Sequence, residues 1–261
     1  MVVAGVALRG RRFTSTDVAG CRIATTEDHF LAGAGAIAAV AAAGTSRTTG
    51  VHVDLVSRVG QDEAGTWTLA ELIGRGVDIS RLSRLGATGE SLVVESASAA
   101  TEVILVPGLV DADGVAPALD SCRAGDVLLL DACVLAQHPE TVEHAYDADL
   151  QVVADLSPVL PGSLDGGVVE RIDVAVVDAA GAGVLADSAN PPASTAVYAG
   201  GLGSWWDDLR YLPPEPGAGP SPADDGVHRF AGALAAGLAA GMDRPEAFTY
   251  AVAVAMQRIE A

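Results

Sequence analysis

The sequence contains no lysine: its 15 basic residues are all arginine, set against 34 carboxylates, for a net charge of −19. Without lysine there is no Schiff-base amine and no phosphate-loop lysine. So acidic a chain also lacks the basic face that nucleic acid or an anionic membrane requires. Cysteine is scarce. Cys21, Cys122 and Cys133 stand at unrelated spacings that give neither a disulfide framework nor a zinc site, and they read as small core residues. No apolar run is long enough to span a bilayer, because the Ala-rich segments are broken by glycine, proline or charge. The opening M-V-V-A-G-V-A-L-R-G-R-R places its basic residues after the apolar run, the reverse of a signal peptide. These absences lead to the expectation of a cytoplasmic protein folded as one α/β domain over residues 1–261.

What is present is an alternation of apolar runs and helical patterns. Val2 to Leu8 reads as a buried strand, and the Thr-rich stretch from Arg9 to Phe30 as an exposed hairpin. Leu31 to Ala43 reads as a helix stopped by Gly44. Val51 to Val59 is a strand and Thr66 to Arg75 a helix. Ser91–Glu95 and Glu102–Val106 read as paired strands. The runs ending D-V-L-L-L-D (126–131), Q-V-V-A-D (151–155) and D-V-A-V-V-D (173–178) read as strands buried on both faces. Pro139 to Tyr146, lying between two of them, is helical. This order argues for a mostly parallel sheet with crossover helices. The inserts near 9–30 and 88–106 form a small β lid. Thr195–Tyr198 and the Trp205 region supply late strands, and Pro245 to Ile259 a last helix.

The most informative stretch is Pro220 to Gly241. A turn-rich lead-in ends at Ala223, after which Asp224 or Asp225 is expected to cap an Ala-rich helix with its carboxylate. Small residues at Ala231, Gly232, Ala235, Ala236, Ala239 and Ala240 let that helix lie very close to a neighbour. A helix start beside a packed core is a natural anion site. Here it carries two carboxylates.

The order of these motifs resembles the PfkB or ribokinase family of small-molecule kinases over nearly the whole chain. G-A-G-A-I-A-A-V-A-A-A-G (33–44) is similar to the family's G-K-G-A-N-x-A-V-A-A-A, and S-R-V-G-Q-D-E-A-G (57–65) to its G-x-V-G-x-D-x-x-G. R-G-V-D-I-S (75–80), A-T-G-E-S (87–91), V-P-G (106–108) and F-A-G-A-L-A-A-G-L-A-A-G (230–241) follow in the family's order. The resemblance implies a ribokinase-like three-layer α/β/α sandwich with a β-strand lid often used for dimerisation. Val93, Val94, Ile104 and Val106 are the apolar lid residues for such a contact.

The same resemblance shows where the site has changed. His228 stands where the family's catalytic Asp belongs, and Asp225, Gly226 and Val227 stand at its G-A-G anion hole. His228 and Asp225 are thus the candidate catalytic residues, with Asp224 as a shifted base. The substrate-binding positions fall on Leu8 and Gly10 (the family's N-x-D) and on Gly33, Ala34, Gly35 and Ile37 (its G-K-G-A-N). The metal-associated N-x-x-E aligns with Asp178-Ala179-Ala180-Gly181, without its Glu, so no metal ligands are assigned. Asp155 stands at a position where the family keeps an acidic residue, but reads in itself as a loop or cap residue. Y-A-G-G-L-G-S-W-W (198–206) resembles the turn beside the nucleotide, which makes Gly200 and Gly203 the nucleotide-binding candidates. Trp205 and Trp206 read as core or interface aromatics.

Elsewhere, His138 and His144 with Glu140 and Glu143 read as a solvated helix face rather than a metal spacing. Asp111 and Asp113 lack an EF-hand pattern, and G-L-G-S-W around Ser204 is not a nucleophile elbow. The expected function is therefore a kinase homologue that has lost phosphoryl transfer and binds a small ligand, sugar or nucleoside, or a partner. The alternatives are an active kinase with a rebuilt site, using ATP and Mg²⁺, and a scaffold or oligomer with a vestigial pocket.

Overall fold

The computed structural model describes residues 1–18, 21–95, 100–158, 166–187, 190–213 and 225–257. The first third of the chain gives β1 (Val2–Ala4), β2 (Leu8–Val18), β3 (Cys21–Ala32), α1 (Ala34–Thr49), β4 (Asp54–Val59), α2 (Glu63–Gly74) and β5 (Leu82–Arg84). The middle gives β6 (Gly89–Glu95), β7 (Ala100–Val106), α3 (Ala112–Leu119), β8 (Val127–Asp131), α4 (Ala132–Gln137), α5 (Glu140–Asp147) and β9 (Gln151–Asp155). The last third gives α6 (Gly166–Val169), β10 (Val174–Asp178), α7 (Ala179–Ala186), β11 (Thr195–Tyr198), β12 (Ser204–Trp206), β13 (Leu209–Tyr211), α8 (Gly226–Ala239) and α9 (Arg244–Met256).

Nine strands form one sheet in the order β13-β12-β11-β10-β9-β8-β1-β4-β5. It is parallel from β11 to β5, with β12 and β13 added antiparallel at one edge. The continuous apolar runs end up buried on both faces: all five residues of β8 are buried. One face carries α1, α2, α8 and α9, and the other α3, α4, α5 and α7, so the expected three-layer sandwich is what the chain forms. A second sheet, β3-β2-β6-β7, is built from the two inserts. Within it β6 and β7 pair antiparallel, as their sequences predict. Of the apolar lid residues, Val93 is already buried within the chain while Ile104 is 51% exposed.

Several boundaries differ from the sequence reading, each for a physical reason. Helix α1 runs straight through Gly44 and ends at Gly50, whose φ of 70° is the left-handed stop. Gly44 stays helical because the flanking Ala42, Ala43 and Thr45 are buried against the core and carry the helix through it. Helix α2 starts three residues before Thr66, because Asp62 caps it, accepting from the Gly65 N–H at 2.8 Å. The strand expected from Val2 to Leu8 stops at Ala4. From there Gly5 and Val6 pass under α1, and Leu8 already begins the lid.

Candidate functional site

In a doubly wound sheet, ligands bind beyond the carboxyl ends of the strands, where the chain order reverses. Here that point lies between β1 and β8, since the chain leaves β1 toward β4 on one side and continues from β8 toward β9 on the other. The crevice is narrow. Gly5, just past β1, touches Gly35 in the first turn of α1: a Cβ on Gly5 would stand 2.5 Å from the Gly35 Cα and 2.7 Å from Asp131 Oδ2. Asp131 and Asp155 are register partners at the ends of β8 and β9, 3% and 1% exposed.

The His228 ring, in the first turn of α8, reaches Asp155 with Nδ1 2.6 Å from Oδ2. The other oxygen of Asp155 accepts the Ser157 N–H at 3.2 Å. Asp131 accepts the Val6 N–H at 2.6 Å and the Val134 N–H at 2.9 Å, so it caps α4 while pinning the exit of β1. Burial pushes the Asp131 carboxyl up to about 6, and the Asp155 charge adds to this. The two backbone donors and His228 pull in the opposite direction. For His228, burial pulls the pKa down, but the charge and hydrogen bond of Asp155, then Asp225 and Asp131, outweigh it and leave the imidazole raised. An imidazole held by a buried carboxylate therefore stands in the first turn of α8, at the carboxyl end of the sheet. Among the described residues, these groups do not converge as a metal-ligand set.

Asp225 is the N-cap residue of α8, yet its side chain makes no cap hydrogen bond, so of the two capping candidates this one does not cap. Its carboxylate instead pairs with Arg229 one turn on, at 2.8 Å, and Arg229 also donates to the Gln257 carbonyl. The guanidinium is a stronger partner than the helix amides, which is why the cap is lost. Asp224 lies outside the described residues. Gly226 and Val227 are both buried. The start of α8 therefore carries a carboxylate paired with an arginine.

At the positions expected from the sequence to bind substrate, the chain packs against itself. Leu8 is 4% exposed. A Cβ on Gly108 would meet its Cδ2 at 2.7 Å, and one on Gly33 its Cγ at 3.2 Å. Gly10 does not face open space as a substrate-binding residue would: the Phe30 ring of the paired strand lies directly over it. Gly33 precedes α1, and Ala34 and Ile37 are half-buried on its first turns. Gly200 and Gly203 form a separate tight turn at the end of β11, closed by the Ala199 N–H to the Gly203 carbonyl at 2.9 Å. Trp206 is core, its indole N–H donating to Ser194 at 2.6 Å, while Trp205 is half-buried. His138 is not on a solvated face; it is partly buried, with Nε2 3.1 Å from the Val110 carbonyl.

The residue that sequence reasoning left without a partner is thus His228, and the partner is Asp155. The available signal was an Asp closing each of two consecutive apolar strands.

The sequence matches no protein-family model and no curated protein. Solved structures do share its fold. Ribokinase from Thermotoga maritima aligns over 100% of this chain and 93% of its own, with a TM-score of 0.78 and 18% identity. Arabidopsis thaliana ribokinase, solved with ribose and ATP, covers 97% and 90%, with a TM-score of 0.72 and 17% identity. The nucleoside kinase of Burkholderia thailandensis, in complex with inosine, covers 98% and 88%, with a TM-score of 0.76 and 14% identity. The fold is the ribokinase-like α/β sandwich, and what the chain does with it has to be argued from the site.

Proposed function

We propose that this protein keeps the kinase-like sandwich for binding and does not transfer phosphate. Leu8 carries the reading: its side chain, sealed against Gly33, Gly89 and Gly108, fills the space in which a polyol would be held. A pocket that recognises hydroxyls loses its selectivity steeply once their hydrogen-bond partners are gone. The phosphate side supports the same conclusion. Phosphoryl transfer needs donors and metal aimed at spreading negative charge, whereas Asp225 sets a carboxylate there and Arg229, the cation beside it, is already spent on that carboxylate and on the Gln257 carbonyl. These residues do not fit the phosphates of ATP–Mg²⁺. The ligand is accordingly a small molecule less polar than a free sugar, derived from the sugar or nucleoside class, or a partner protein.

One observation favours the second reading, an active kinase with a rebuilt site. The Asp155–His228 pair has the form of a base held in orientation by a carboxylate. A thermal-shift titration separates the two. ATP with Mg²⁺, ATP alone and ADP, each at millimolar concentration, are expected to leave the melting temperature unchanged, because a ligand of the native state must raise it. A magnesium-dependent rise, followed by ADP release with any sugar or nucleoside, establishes the kinase instead.

The same proposal places the protein in the cytoplasm as a homodimer joined through the lid strands. Ile104 on β7 offers exposed apolar surface for the contact. A dimeric sedimentation profile at micromolar concentration is expected, and a monomeric one removes the lid contact from the proposal.

A further inference from the structure

We propose that His52, Asp54 and Asp78 form a site for a divalent transition-metal ion of the zinc class, at the amino end of the sheet and opposite the crevice. His52 Nε2 stands 2.8 Å from Asp54 Oδ1 and 3.2 Å from Asp78 Oδ2, and the three donor atoms lie within 4.8 Å of one another. In a four-coordinate zinc site with bonds of about 2.0–2.2 Å, neighbouring donors are roughly 3.3 Å apart. The imidazole nitrogen already stands close to that spacing from both carboxylate oxygens, so an ion enters by replacing the contacts among the three donors with its own bonds.

The donors are held before any ion arrives. Asp54 opens β4 and is bridged in parallel to Asp78. The Leu55 N–H donates to the Asp78 carbonyl at 3.0 Å, and the Asp78 N–H to the Val53 carbonyl at 3.0 Å. Each carboxylate spends one oxygen on a supporting donor and turns the other toward the imidazole. Asp78 Oδ1 accepts the Ser80 N–H at 2.8 Å, and Asp54 Oδ2 faces Arg81 Nε at 3.5 Å. That division of labour is how carboxylate ligands are oriented from behind in metal sites. The His52 side chain is 70% exposed, which leaves an entry path and room for water as a fourth ligand. One imidazole with two carboxylates selects zinc, cobalt, nickel or copper over magnesium and calcium, which take oxygen ligands. The strongly acidic chain favours cations generally, so it is the imidazole that gives the site its selectivity.

The test uses the full chain and the metals alone. Zinc titrated calorimetrically should bind with one-to-one stoichiometry, and cobalt should develop the visible bands of a four-coordinate ion. His52→Ala should weaken both by more than the roughly 10–100-fold that loss of a supporting contact costs. His144→Ala, which removes a surface imidazole paired with Asp120, should leave both unchanged. If His52→Ala fails to fold, Asp78→Asn carries the test with the same expected loss. Three outcomes overturn the site: no zinc heat and no cobalt band at millimolar metal, His52→Ala binding as tightly as the parent, or magnesium binding as tightly as zinc.

Discussion

Gly35→Ala is expected to destabilise the fold by about 3 kcal/mol, at the upper end of what overpacking usually costs. A Cβ at Gly35 would be driven into the Cα and carbonyl carbon of Gly5. Both are backbone atoms of the segment leaving the central strand, and that segment is tied down on each side. The Gly5 N–H donates to the Val56 carbonyl at 3.2 Å and the Val6 N–H to Asp131 at 2.6 Å. Unlike a side chain, this neighbour has no rotamer to move into. Gly183→Ala in α7 is the matched control, because nothing lies within 4 Å of the added methyl. There the change should stabilise by up to about 1 kcal/mol through helix propensity. Urea midpoints of the two variants decide the matter, and a Gly35→Ala variant within ~0.5 kcal/mol of the parent would mean the crossing is looser than described.

The second large effect is a stability that falls as pH rises from about 4 through neutrality. Asp131 has its carboxyl raised from 3.8 to about 6 in the folded chain. A raised folded pKa means the native state holds the proton more tightly. The resulting stability is therefore present below the unfolded value and lost as pH climbs through the folded one. Two pH units correspond to on the order of 3 kcal/mol. His228, raised above 6.5 by Asp155, has the same sign: its contribution is complete below 6.5 and disappears above its folded value. Denaturation at pH 5, 6, 7 and 8 should give steadily lower unfolding free energies. Asp131→Asn should flatten the acidic part of that slope and Asp155→Asn the part near neutrality. Stability rising with pH across this window would contradict the burial of Asp131 and the pairing of His228 with Asp155.

The architecture was legible because parallel strands buried on both faces write themselves as unbroken apolar runs. The D-V-L-L-L-D run became β8 almost to the residue. Helix ends were less legible, since competition among local partners decides them. Gly44 has the residue type of a stop, but the packing around it continues the helix, and the left-handed stop is Gly50. Asp225 has the residue type of a cap and is taken by Arg229. The candidate site was half legible. His228 and Leu8 could be placed by motif, but the contact between Asp155 and His228 joins groups 73 residues apart. Such a contact depends on strand order and register, which no local periodicity encodes. The burial of Leu8 against Gly33, Gly89 and Gly108 is likewise a packing fact, since a leucine at the mouth of an open pocket has the same sequence as one that is sealed in.

The placement of β1 inside the sheet has a consequence for how the chain assembles. Val2 is hydrogen-bond neighbour to Asp54 on one side and to Leu128 on the other, so the first strand cannot be closed in until β8 exists. Helix α1 waits longer: its Ala38 backbone is covered by Gly232 of α8, near the other end of the chain. Contacts of such long sequence separation make folding slow relative to proteins of local topology. During synthesis the alanine face of α1 therefore stays uncovered until the last fifth of the chain emerges, and a nascent chain stopped before α8 presents that face to whatever binds apolar surface.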